Sequence, residues 1–122
     1  MCLGLLGSLL DHHNFLPEEI AYIKPCTQCE KPQLISQYCE ARGIDCVSIG
    51  PVVFYSGFTR SFLAGEQGTS TDLIQSAVKS VQDLMKTKNR KVVIVDGVGY
   101  PAVGSICGIS NADVRIFQFR SI

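Results

Sequence analysis

Two short stretches hold residue types whose order suits chemistry at the end of a strand. Val92-Val93-Ile94-Val95 is a continuous apolar run of strand length, and Asp96-Gly97-Val98-Gly99 follows it directly. Such runs suit strands buried on both faces of a parallel sheet. A carboxylate just past such a strand lies where open α/β sheets bind ligands, and it can hold Mg²⁺ directly or through water. Asp96 is therefore the metal candidate, and Gly97 and Gly99 are the residues that let a ligand approach the backbone and its amides. The competing reading is an ordinary strand end with no metal. Gly97 to Ala102 also fits the dinucleotide pattern G-x-G-x-x-A, but a helix must open there. Pro101, Gly104, Ser105 and Gly108 are poor helix material, so that match is set aside.

The second stretch is Lys24-Pro25-Cys26-Thr27-Gln28-Cys29, which follows the strand-like Ile20 to Ile23. A lysine at a strand's carboxyl end can offset phosphate or carboxylate charge, and the Thr27 hydroxyl can hydrogen-bond polar substrate atoms. Lys24 and Thr27 are the catalytic candidates, set against a plain surface lysine at a strand end. Cys26 and Cys29 form one C-x-x-C, which suits either a thiol redox pair or half of a zinc site. A second metal-binding pair is lacking, since six residues separate Cys39 from Cys46 and His12 and His13 are adjacent. Incidental free thiols are the third reading. Phe54 to Arg60 reads as an aromatic loop, in which Arg60 either clamps an anion or is simply solvated.

The elements that must position these residues alternate between helix and strand. Leu3, Leu6 and Leu10 recur at helical spacing, ending near His13 and Asn14. Residues 32–42 carry Leu34, Ile35, Tyr38 and Cys39 on one helical face, and Gly43 is the expected stop. Ile44 to Ile49 reads as a second strand, which Val52 to Tyr55 could extend or follow. Ser70-Thr71-Asp72 can cap a long helix through Leu73, Ile74, Ala77, Val78, Val81, Leu84 and Met85. Its end, Lys86 to Lys91, reads as a solvated basic cap. Alternation of this kind predicts an α/β fold with a parallel sheet and flanking helices.

Composition narrows the function classes. The chain has 122 residues, which is one domain at most, and its 46% hydrophobic content is enough for a core. Eleven Lys and Arg balance eleven Asp and Glu, which argues against a generic nucleic-acid or anionic-membrane binder. No run of eighteen apolar residues exists to span a bilayer. The apolar start lacks a basic n-region and a small-residue cleavage site, and six cysteines are too sparse for a disulfide scaffold. The expectation is a cytoplasmic protein with free thiols.

Tyr22-Ile23-Lys24-Pro25 and Val95-Asp96-Gly97-Val98-Gly99, in that order, resemble motifs of the dethiobiotin-synthetase-like branch of the P-loop NTPases. That branch is related to cobyrinic acid amide synthases and to the ParA/MinD group, and the resemblance covers residues 1–114, with 115–122 divergent. It implies an incomplete three-layer parallel sheet of P-loop NTPase type with flanking helices. It also implies ATP and Mg²⁺ as cofactors, a small-molecule carboxylate or carbamate substrate in a parent ligase-like enzyme, and a homodimer. By resemblance Lys24 takes the substrate and phosphate role, Asp96 the Mg²⁺ role, and Gly97 and Gly99 line the pocket. Gln28 and Cys29 stand where a hydroxyl residue and a glycine are usual, and Tyr100 replaces the second glycine of a pair. The Walker A motif is missing, since the sequence has no Gly-Lys dipeptide. The resemblance therefore places a further strand, beside both the Lys-Pro strand and the Asp96 strand, ahead of this chain. The chain is expected to be a truncated product without turnover of its own. A non-catalytic regulatory or interaction module of the same type, and a thiol or zinc module, are the alternatives.

Overall fold

The computed structural model describes residues 2–27, 33–54, 58–66, 68–86 and 90–97. Along the chain run α1 (Cys2–Asp11), a 3-10 turn (Pro17–Glu19), β1 (Ile20–Ile23), β2 (Cys26–Thr27) and α2 (Leu34–Arg42). Then come β3 (Asp45–Val47), β4 (Val52–Val53), α3 (Phe58–Leu63), α4 (Ser70–Met85) and β5 (Val92–Val95). β1 is the centre of a three-stranded parallel sheet in the order β3-β1-β5, and β2 and β4 form a separate parallel pair. The α/β class read from the alternation of elements is the class observed.

All four residues of β1 are fully buried. Strand alternation sends Ile20 and Tyr22 to one face and Ala21 and Ile23 to the other. On the first face Ile20, Tyr22 and Ile94 pack with Leu6 of α1 and with Ile35 and Cys39 of α2. On the second, Met85 of α4 lines a cleft with Val93 and Val95, the partners of Ala21 and Ile23 in the register. Helices thus lie on both sides of the sheet. Each isoleucine of β1, buried from both sides, contributes about 1.5–3 kcal/mol through its transfer from water.

A second core gathers Cys26, Val52, Phe54 and Phe58 against Ile74, Ala77 and Val78 of α4. The Phe54 and Phe58 rings meet edge to face at 5.1 Å. This corrects the expected aromatic loop: Phe58 begins α3, and Arg60 lies exposed on that helix. Tyr55 to Gly57 fall outside the described residues. Gly43 ends α2 in the left-handed region at φ 71°, as its position suggested. α4 starts one residue earlier than expected on its cap. Thr69 accepts from the Asp72 amide and donates its own amide to Asp72 Oδ2 at 3.0 Å, a reciprocal capping box.

Two further expectations change. The Lys-Pro strand and the Asp96 strand pair directly, from Ile20↔Val92 to Ile23↔Val95, so no slot for another strand lies between them. Among the described residues no strand pairs with the outer side of β5. Arg90 and Lys91 are also no solvated helix cap, because α4 ends at Met85. The Arg90 side chain, 2% exposed, donates to the carbonyls of Glu18 and Ile20 and to Asp45 Oδ2. Lys91 pairs with Glu19, which also accepts from the Leu16 amide. The amino-terminal end of the sheet is stapled across all three strands by two cations that the sequence places on one short link.

Candidate functional site

The main-chain ladder runs one residue beyond the paired strands at the carboxyl end of the sheet. The Lys24 amide donates to the Val47 carbonyl and the Asp96 amide to the Ile23 carbonyl, each at 2.8 Å. Lys24 and Asp96 are thereby fixed side by side on neighbouring parallel strands. Alternation puts Tyr22, Lys24 and Asp96 on the same face, the one covered by α1 and α2.

The side chains meet as that parity requires. Lys24 Nζ lies 4.0 Å from Asp96 Oδ2, with the two side chains 14% and 31% exposed. The Tyr22 hydroxyl donates to the same oxygen at 2.6 Å. Burial above all, and then the Asp96 carboxylate, push the Tyr22 hydroxyl well above its usual range, so it remains a donor. The thiol of Cys2, at the start of α1, is pushed up by burial and by the same carboxylate. A cleft of about 310 Å³ opens beside Asp96 and Tyr22. Its walls are Cys2 and Leu3 of α1 and Gln33, Leu34 and Ile35 at the start of α2.

The Lys-Pro turn is held from behind by close backbone packing. A Cβ on Gly50 would lie 2.4 Å from the Pro25 carbonyl oxygen and 2.5 Å from that of Lys24. Only glycine lets the β3–β4 connection pass so near. Past the turn, the Val52 amide donates to Pro25 O at 3.3 Å and the Phe54 amide to Thr27 O at 2.7 Å.

Of the residues singled out from sequence, Lys24 and Asp96 come together, and Gly97 follows Asp96 as an exposed residue. Gly99 lies outside the described residues. Thr27 does not join the site as a substrate contact, because it is fully buried within β2. Cys26 is likewise buried in the second core, where desolvation pushes its thiol up to about 11. A thiol so placed packs rather than reacts at neutral pH. Its C-x-x-C partner Cys29 is outside the described residues, as are Gln28, Cys107 and the 114/115 boundary. Tyr22 and Cys2 were missed. Tyr22 could have been found from its two-residue spacing to Lys24 once the strand register was known.

Chemically the cluster is a carboxylate that faces one ammonium and accepts from one phenol. Among the described residues no group of three or more His, Cys, Asp or Glu is placed to hold a metal ion. Mg²⁺ carried by nucleotide phosphates keeps mostly phosphate and water oxygens and needs one or two carboxylates; Asp96 is the one carboxylate in this cluster. Among the described residues no helix is long and apolar enough to cross a membrane. No family model, no curated protein and no solved structure matches the chain.

Proposed function

We propose that the Lys24–Asp96 end of the sheet is the ligand site of a domain of the dethiobiotin-synthetase-like P-loop NTPase type. It takes Mg-nucleotide with a small anionic substrate, and does so without turnover. The observation that carries this reading is the convergence of the two motifs into one charged pair beside an open cleft. Lys24 offsets the charge of a phosphate or carboxylate that enters beside it. Asp96 meets the cation that accompanies the nucleotide, and Tyr22 holds the carboxylate in position. The reading is confined to binding, since the residues that converge here include no Gly-Lys of a phosphate-cradling loop.

The test is a circular-dichroism melt with and without millimolar Mg-ATP. Ligand at a hundred times its dissociation constant adds about 2.7 kcal/mol, which raises the midpoint by several degrees. The rise should need Mg²⁺ and vanish in Asp96→Asn. An identical midpoint in both conditions would exclude the nucleotide site. A second reading, a non-catalytic interaction module, draws on the outer side of β5. There Val95 is exposed and, among the described residues, no strand is paired. A melt unmoved by Mg-ATP but raised by a protein partner would support that reading instead.

A further inference from the structure

The walls of the cleft beside Asp96 are unevenly charged. Leu3, Leu34 and Ile35 make them apolar, and among the described residues that line the cleft Asp96 is the one charged group. Lys24 is not one of them. The Asp96 carboxylate is held in place but not saturated. Its Oδ2 accepts the Tyr22 hydroxyl at 2.6 Å, while Lys24 Nζ at 4.0 Å stands beyond hydrogen-bond reach. The Cys2 thiol beside it is only a weak donor. A carboxylate offers about four lone-pair sites, so acceptor capacity remains on a side chain that is 31% exposed. The Tyr22 proton is spent on Asp96, so that hydroxyl offers none to an anion in the cleft. Leu34, at the start of α2, leaves an apolar side chain 70% exposed beside the same space. The volume of about 310 Å³ is at the small end for ligand sites.

We propose that this cleft binds a small aliphatic primary amine in its ammonium form, with the head on Asp96 and the chain against Leu3, Leu34 and Ile35. An ammonium has three donors and no acceptor, so it can use the open lone pairs of Asp96. A carboxylate ligand would bring like charge to Asp96, and a neutral one would forgo its attraction. The apolar walls take the alkyl chain out of water, and each buried methylene adds to affinity. The Lys24 charge, 4.0 Å from Oδ2, opposes a second cation, so the hydrogen bonds of the head and the burial of the chain must both contribute. Mg²⁺ and the ammonium head compete for the same carboxylate, so the amine opposes the nucleotide wherever that binds. The assignment goes beyond the nucleotide reading and does not depend on it.

The experiment titrates the full chain with pentylammonium chloride, and with pentanol and pentanoate as neutral and anionic controls at matched ionic strength. Amide chemical shifts and the thermal midpoint are read together. The expected result is saturable binding of pentylammonium, with shifts at Cys2, Leu3, Leu34 and Ile35 and a raised midpoint. Pentanol and pentanoate should bind at least about tenfold more weakly, as should pentylammonium to Asp96→Asn, since a hydrogen bond to a charged group is lost. Leu34→Lys changes an exposed side chain and sets a like charge beside the cleft, so it should weaken the amine without lowering the midpoint of the free chain. Equal binding of pentanol or pentanoate, unchanged amine binding in Asp96→Asn or in Leu34→Lys, or shifts confined to other parts of the chain would each overturn the assignment. A midpoint raised by Mg-ATP but untouched by pentylammonium would overturn it and leave the nucleotide reading standing. The reverse pattern would uphold it and remove the nucleotide reading. Pentylammonium and Mg-ATP bound together without mutual weakening would overturn the placement on Asp96.

Discussion

Replacing Tyr22 by Phe removes one oxygen from a fully buried ring and leaves its shape in place. What is lost is the 2.6 Å hydrogen bond to Asp96 Oδ2. A bond to an ionised acceptor contributes about 1.5–3 kcal/mol net, and the partial exposure of Asp96 puts this one near 1.5 kcal/mol. Unfolding entropy of about 2.1 cal/mol/K per residue over 122 residues turns that loss into a midpoint fall of about 6 °C. Thermal and urea unfolding followed by circular dichroism would read it directly. Asp96→Asn and the double variant complete a cycle. If the hydroxyl acts through the carboxylate, the double variant should lose about 1.5 kcal/mol less than the two single losses added together. A fall of less than ~2 °C, or simple additivity, would refute the reasoning. Either result would mean that Tyr22 does not hold the carboxylate and that the site is less ordered than its geometry implies.

Gly50→Ala would place a Cβ within 2.6 Å of three backbone atoms of Lys24 and Pro25, none of which can turn away. The expected cost is ~3 kcal/mol, the upper end of overpacking, read as a lower urea midpoint; a loss below ~1 kcal/mol would show that the turn has slack. Acid should also weaken the chain. The Lys91 pair, and then the Leu16 amide, hold Glu19 below its ordinary value of 4.5. A depressed folded value contributes stability that is present above the unfolded value and lost as pH falls through the folded one. Urea midpoints should therefore decline below about pH 4.5, and Glu19→Gln should flatten part of that decline.

The parts of this fold that can be read from sequence are those set by local periodicity. Seven apolar positions at a 3.6 spacing announce α4, and Ile20 to Ile23 and Val92 to Val95 coincide with β1 and β5. Lys24 and Asp96 are legible because each follows such a strand, and parallel strands present their carboxyl ends together. Features that depend on distant partners are not legible. Arg90 looks like a helix-end charge until the Ile20 carbonyl and Asp45, remote in sequence, are seen around it. α3 has only six residues and its aromatic rings serve a core made by other elements, so no period betrays it. Cys39 and Cys46 look unrelated on the metal-spacing rule, because a helix and a strand, not a loop, bring them together. Thr27 misled for the opposite reason. Its hydroxyl looked available just past a strand, but the chain enters a second strand there and buries it.

The pairing of β1 with β5 has a kinetic consequence. Tyr22 and Asp96 stand 74 residues apart in the chain, whereas α1, β1, α2 and β3 all fall within the first 47 residues. Contacts among those early elements close short loops and lose little chain entropy, while docking β5 must close the longest loop in the sheet. Loop-closure entropy thus predicts that the early unit forms before the carboxylate arrives and that the charged pair is made when β5 docks. On that order a newly made chain would have Lys24 in place before it has a counter-ion. The Lys24–Asp96 contact is then a natural reporter of completed folding, because an intermediate that has not docked β5 cannot make it.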